Sequence, residues 1–218
     1  GNILVLSWDL RTRQEAIAAG LDTNHFSGNL LSEKVTEIRP LGSDSAEIVW
    51  EWFLWDHLVQ DFNSSAQNFG IIDTNRQLVN LNYSGNNGIG LDYFHANSLA
   101  YNPSLDQIII SIRNYDEIWV IDHGTTTMEA SGHTGGTRGM GGDLLYRYGN
   151  PEAYGVGSIN DKQLFGQHDA HWIPAGLRDS GKIIVFNNGF NKPALVSQVE
   201  IIQPPINAAG TYNYLNRQ

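Results

Sequence analysis

Residues 93–122, YFHANSLAYNPSLDQIIISIRNYDEIWVID, decide how the chain folds. The turn formers Asn102, Pro103, Ser104 and Asp106 separate a first short segment from the β-branched run Ile108–Ile112. The stretch therefore reads as two or three short antiparallel strands. His95 stands where the first strand opens and Arg113 where the second closes. Side chains alternate faces along a strand, so His95 and Asn97 are expected on one side. With the reversal centred near Ser104, Arg113 comes back opposite His95. One hairpin thus gathers an imidazole, an amide and a guanidinium at one end of a sheet, in outline an anion site.

Residues 167–202, QHDAHWIPAGLRDSGKIIVFNNGFNKPALVSQVEII, repeat the plan. His168 opens a strand, Pro174 to Gly181 makes the turn, and Ile183–Phe186 returns, which sets Asn187 and Asn188 opposite His168. Two modules led by histidine say more than one. Residues 2–8 (NILVLSW) match the returning strands, but no His-led strand precedes them. Outer strands are expected at Val35–Leu41 and Glu47–Phe53, at Glu117–Asp122 and Leu144–Tyr148, and at Leu195–Ile202. Residues 11–33 read as a polar loop with a short helix near Gln14–Ala19, and residues 63–90 and 123–142 as insertions. The chain is therefore all-β, its modules reading as blades of a β-propeller. A propeller needs at least about four blades to close, so residues 1–218 read as a single domain: a partial propeller of about three blades, lacking blades on its N- and C-terminal sides. A β-sandwich with long loops is the competing fold.

Composition narrows the function. A chain of 218 residues with 41% hydrophobic content can bury a substantial core. Its formal net charge of −10 argues against nucleic acid or an anionic membrane surface as partner. A local His/Arg cluster can still attract a small anion, because more distant surface charge is screened. There is no cysteine, hence no thiolate nucleophile, and no apolar run long enough for a bilayer-spanning helix. The histidine spacings match no short zinc signature, so no metal is expected. His25, His123 and His133 read as solvated loop residues and His171 as structural. Trp50 and Trp52 share one strand face and read as packing between blades.

An ordered set of segments then resembles a known family: WEWFLWDH (50–57), FHANSLAYNP (94–103) with ISIRN (110–114), LLYRYGNPEAYG (144–155), and FGQHDAHWIP (165–174) with IIVFNNG (183–189). Together they resemble the bacterial arylsulfate sulfotransferases over about residues 46–189. That resemblance implies a six-bladed propeller, periplasmic or secreted, that moves a sulfuryl group from an aryl sulfate donor to a phenolic acceptor without an adenylyl-sulfate cofactor. No signal peptide is visible in this chain. By the same resemblance, His168 corresponds to the nucleophile that becomes sulfated. His95 and Asn97 correspond to the family's His-x-Asn pair, Arg113 to the arginine closing the next strand, and His57 to an earlier histidine. Tyr93 and Phe94, with Trp172 and Tyr148, are candidates to hold the aryl ring.

The chemistry asks for such groups. In-line displacement at a sulfate ester through a loose transition state needs positioning and charge stabilisation more than a strong base. A neutral imidazole is a competent nucleophile. An arginine can fork two donors onto equatorial oxygens, as a lysine cannot. His57 or His95 could donate to the departing phenolate. Each has an ordinary alternative: Arg113 could pair with Asp116 at the surface, and the whole could be a non-catalytic propeller binding protein or glycan. A hydrolase or lyase using Asp169 or Asp56 as acid/base is a further option, and a homodimer is compatible with the sequence.

Overall fold

The computed structural model describes residues 1–24, 26, 28–83, 85, 90–192 and 196–213. The first sheet is antiparallel, with β1 (Ile3–Arg11), β2 (Leu30–Leu41) and β3 (Ser45–Phe53) side by side in chain order. A short parallel pair follows, β4 (Leu58–Val59) with β5 (Val79–Asn80). The central antiparallel sheet holds β6 (Ala96–Asn102), β7 (Gln107–Ile112), β8 (Glu117–Asp122) and β9 (Tyr146–Tyr148). The last holds β10 (His168–Trp172), β11 (Ile183–Asn187) and β12 (Gln198–Ile202). Two short helices, α1 (Arg13–Ala18) and α2 (Thr127–Ala130), each begin at a threonine-led capping box. Among the described residues no helix is long and apolar enough to cross a membrane.

β7 explains the stacking. All six of its residues are buried, and its isoleucines divide by the two-residue period of a strand. Ile108, Ile110 and Ile112 join Leu30, Val35, Trp50 and Trp52 of the first sheet in one core. Ile109, with Ile118 and Val120 of β8, joins Trp172, Ile183 and Val185 of the last sheet in another. The central sheet therefore lies between the other two. An unbroken isoleucine run is what a strand covered on both faces requires, and each such side chain contributes about 1.5–3 kcal/mol by leaving water.

The all-β antiparallel expectation holds, and the described strands form no closed barrel. β8 occupies the expected span, and Trp50 and Trp52 are buried as foreseen. Several details differ. β2 starts at Leu30 rather than Val35, because Leu30–Ser32 pair with Arg11–Asp9 of β1. The insertion after Asn63 contributes β5 to a pair with β4. Arg147 of β9 is buried, where its guanidinium forks onto Glu117 (Nε–Oε1 2.9 Å, with Nη2 on Oε2) and donates to the Leu78 carbonyl at 2.8 Å. Burial pushes the Glu117 carboxyl up, against the pull of Arg147. His123 is not solvated: it bridges Asp106 at 2.7 Å and Glu37 at 3.2 Å. Leu195, expected to begin the last strand, and His25 lie outside the described residues.

Candidate active site

β10 packs alongside β6, so the ends where these two strands open form a seam between sheets. On the central-sheet side, the Arg113 N–H donates to the His95 carbonyl at 3.0 Å, which sets the two opposite one another as the hairpin implied. His95 is left-handed (φ 58°), a strained conformation for a residue with a β-carbon. Its neighbours hold it there. The Asn114 amide donates to the Asp92 carbonyl at 2.9 Å, and the Ala96 N–H donates to Glu33 Oε1 at 2.8 Å. His95 Nδ1 lies 2.5 Å from Asp92 Oδ2. Glu33 is 1% exposed, and burial pushes its carboxyl up to about 7, opposed by the Ala96 N–H and reinforced by Asp92.

The left-handed turn breaks the simple alternation that would set His95 and Asn97 on one face. The β6–β7 register slips between Ala96 and Ser98, and Asn97 instead reaches across the seam, its Nδ2 donating to the Gln167 carbonyl at 2.8 Å. Gln167 answers from the other side, its Nε2 approaching Ser111 Oγ, the Ile112 carbonyl and the Glu117 carbonyl at 3.2, 3.1 and 2.7 Å. His168 follows directly. Its Nδ1 lies 3.1 Å from the Gly166 carbonyl and 2.8 Å from Asn188 Nδ2. The tautomer with its proton on Nδ1, donated to the Gly166 carbonyl, is the one that leaves the Nε2 lone pair free for nucleophilic attack, whereas the Asn188 amide, a donor to both Gly166 and Nδ1, matches the other tautomer. The residue paired with His168 is Phe186, one position before the expected Asn187, yet the Asn188 side chain does reach it. The module likeness extends to the backbone: Asp169, like His95, is left-handed (φ 58°) beside a slip in register.

Arg113 does not pair with Asp116, which is bound to Lys162 and to the Gly166 N–H. Its Nη1 donates to Asn114 Oδ1 at 3.0 Å, its guanidinium lies over the Phe190 ring at 5.2 Å, and among the described residues it has no carboxylate partner. A β-carbon on Gly166 would come within 4.0 Å of its Nε. The guanidinium thus lies against the loop that delivers His168. Phe190, 46% exposed, is the aromatic at this seam and was missed from sequence, its one trace being its place after the Asn-Asn-Gly that ends β11.

Three expected site residues are elsewhere. His57 is fully buried, with Nδ1 at 2.8 Å from Asp143 Oδ1 and Nε2 at 2.9 Å from the Ala130 carbonyl, so it has no surface for a phenolate. Tyr93 and Phe94, 1% and 0% exposed, lie in the core against Tyr115 and Phe26, and the Tyr93 hydroxyl donates to the Leu81 carbonyl. The left-handed turn at His95 lets the two rings before it drop inward. They support the turn and present no face to a ligand.

The seam thus gathers His95, Asn97, Arg113 and the loop carrying His168 where β6 and β10 open. The family model for Arylsulfotransferase (ASST) matches residues 29–202, most of the chain, and the chain belongs to that family. The family implies an aryl sulfotransferase in general, with aryl sulfates and phenols as the substrate classes. No curated protein and no solved structure gives a significant match.

Proposed function

We propose that this chain is part of a β-propeller that transfers a sulfuryl group from an aryl sulfate to a phenol by ping-pong chemistry, through a sulfohistidine on His168 and without an adenylyl-sulfate cofactor. The observation carrying the proposal is the juxtaposition of the Arg113 guanidinium with the Gly166–His168 loop, across a seam tied by Asn97 and Gln167.

In the first half-reaction the Nε2 lone pair of His168 attacks sulfur, the sulfur–aryl oxygen bond breaks, and the phenolate leaves with that electron pair and takes a proton from His95. Arg113 and Asn97 stabilise the charge on the sulfuryl oxygens. In the second, the acceptor phenol gives its proton to His95 as its oxygen attacks sulfur, and the sulfur–nitrogen bond breaks to return the lone pair to His168. Phe190 offers its ring to the aryl group. The exposed Ile3 and Val5 on one face of the first sheet and Val199 and Ile201 on the last favour further blades on both sides, in a single domain. A periplasmic or secreted setting accompanies this reading.

The test is release of nitrophenolate from 4-nitrophenyl sulfate with phenol as acceptor, together with mass spectrometry of the His168 peptide after donor alone. Wild type is expected to carry one added sulfuryl group and His168→Ala none. Transfer surviving largely intact in His168→Ala would overturn the assignment.

A further inference from the structure

We propose that His57, His133 and Asp143 form a binding site for a divalent transition-metal cation of the zinc class, separate from the sulfuryl seam. Asp143 Oδ1 lies 2.8 Å from His57 Nδ1 and 2.7 Å from His133 Nδ1, and one ligand atom from each residue falls within 4.8 Å of the others. His57 and Asp143 are buried, while the His133 side chain is 57% exposed.

The surroundings of His57 are those of a metal ligand. Its Nε2–H donates to the Ala130 carbonyl at 2.9 Å, which turns the Nδ1 lone pair toward the cluster. The Trp52 ring stacks on it at 5.5 Å and 4°, and Trp52 is itself fixed by donating to the Gly142 carbonyl at 2.8 Å. The imidazole cannot turn away. Two nitrogen lone pairs and a carboxylate oxygen then converge, and a dication between them removes the repulsion. Tetrahedral zinc with bonds of about 2.0–2.1 Å separates its ligand atoms by roughly 3.3 Å. The cluster must therefore open slightly, which the exposed His133 can do. His133 also lines a cavity of about 620 Å³ with Asp56, Trp55, Ser131 and Asn68, giving water and the cation a route to the remaining coordination position. Asp56 interacts electrostatically with both histidines and adds negative charge beside them. The cation would clip the segment after β3 to the insertion between α2 and β9. The long sequence separations of residues 57, 133 and 143 hide the set from any short motif.

Metal-stripped protein titrated with cobalt(II) chloride is expected to develop visible ligand-field absorption saturating at one equivalent, with a matching change in tryptophan fluorescence from Trp52. Loss of the exposed ligand in His133→Ala should weaken binding by at least about tenfold without altering the circular dichroism spectrum, a scale at which even outer partners of metal ligands act. Asp143→Asn should weaken it too, and His171→Ala should leave it unchanged. Absence of saturable binding to wild type, or equal binding by His133→Ala, would overturn the site and leave the cluster as two histidines hydrogen-bonded to one carboxylate. Neither outcome bears on the reaction at His168, which is read separately by nitrophenolate release.

Discussion

Replacing Glu33 by glutamine should flatten the pH dependence of folding stability. Glu33 is raised from 4.5 to about 7 by burial in β2 beneath the left-handed turn at His95. Below pH 4.5 the group is protonated whether the chain is folded or not, so its favourable contribution is complete. As pH rises from there, the unfolded chain ionises first and stability falls, until near pH 7 the folded carboxyl ionises too and the loss is full. A shift from 4.5 to about 7, at 1.36 kcal/mol per pH unit, corresponds to about 3 kcal/mol. Glutamine keeps an oxygen for the Ala96 N–H and cannot ionise. Urea denaturation followed by tryptophan fluorescence, repeated between about pH 4 and pH 8, should therefore show the variant matching wild type at the acid end and exceeding it by up to about 3 kcal/mol at the alkaline end. Parallel curves would refute the reasoning. Glu33→Ala should behave differently, because it strands the Ala96 N–H at a cost of about 1–3 kcal/mol and loosens the turn that carries His95.

Arg113→Lys should lower kcat/KM for 4-nitrophenyl sulfate by about 10²–10³-fold with little change in Tm, since the fork onto sulfuryl oxygens is lost and no ion pair among the described residues depends on it. Near-wild-type turnover would count against that role. Arg147→Met should destabilise by about 3–5 kcal/mol in urea titration by leaving the buried Glu117 carboxylate unpaired, and adding Glu117→Leu should restore most of it. Gly142→Ala should cost about 1–3 kcal/mol and perturb Trp52 fluorescence. The new methyl carbon would lie 2.0 Å from the Ala130 carbonyl oxygen and 2.7 Å from His57 Nε2.

The parts of the fold readable from sequence are those whose causes are local. The isoleucine run of β7, the turn residues Asn102–Asp106 and the returning Arg113 each declare themselves within a few positions. The pairing of Asn97 with Gln167 and of Glu33 with Ala96 does not, because those partners come from different sheets. Tyr93 and Phe94 were named for nearness in sequence to His95, but the left-handed backbone at His95 sends the chain before it into the core. His57 misled because its partners, Ala130 at the end of the short α2 and Asp143 in the segment before β9, lie far along the chain and carry no periodic signal. The buried pairing of Arg147 with Glu117 left no trace in the sequence either, since nothing adjacent to Arg147 announces its partner on the neighbouring strand.

Gln167 and Asn97 have a mechanical consequence. They rivet together two slabs of structure, and the two halves of the proposed sulfuryl grip ride on different slabs. A slide of even a fraction of an ångström between them would misalign His168 with Arg113 while leaving every strand intact. On gentle warming, catalysis should therefore fade before the far-ultraviolet signal of the sheets does.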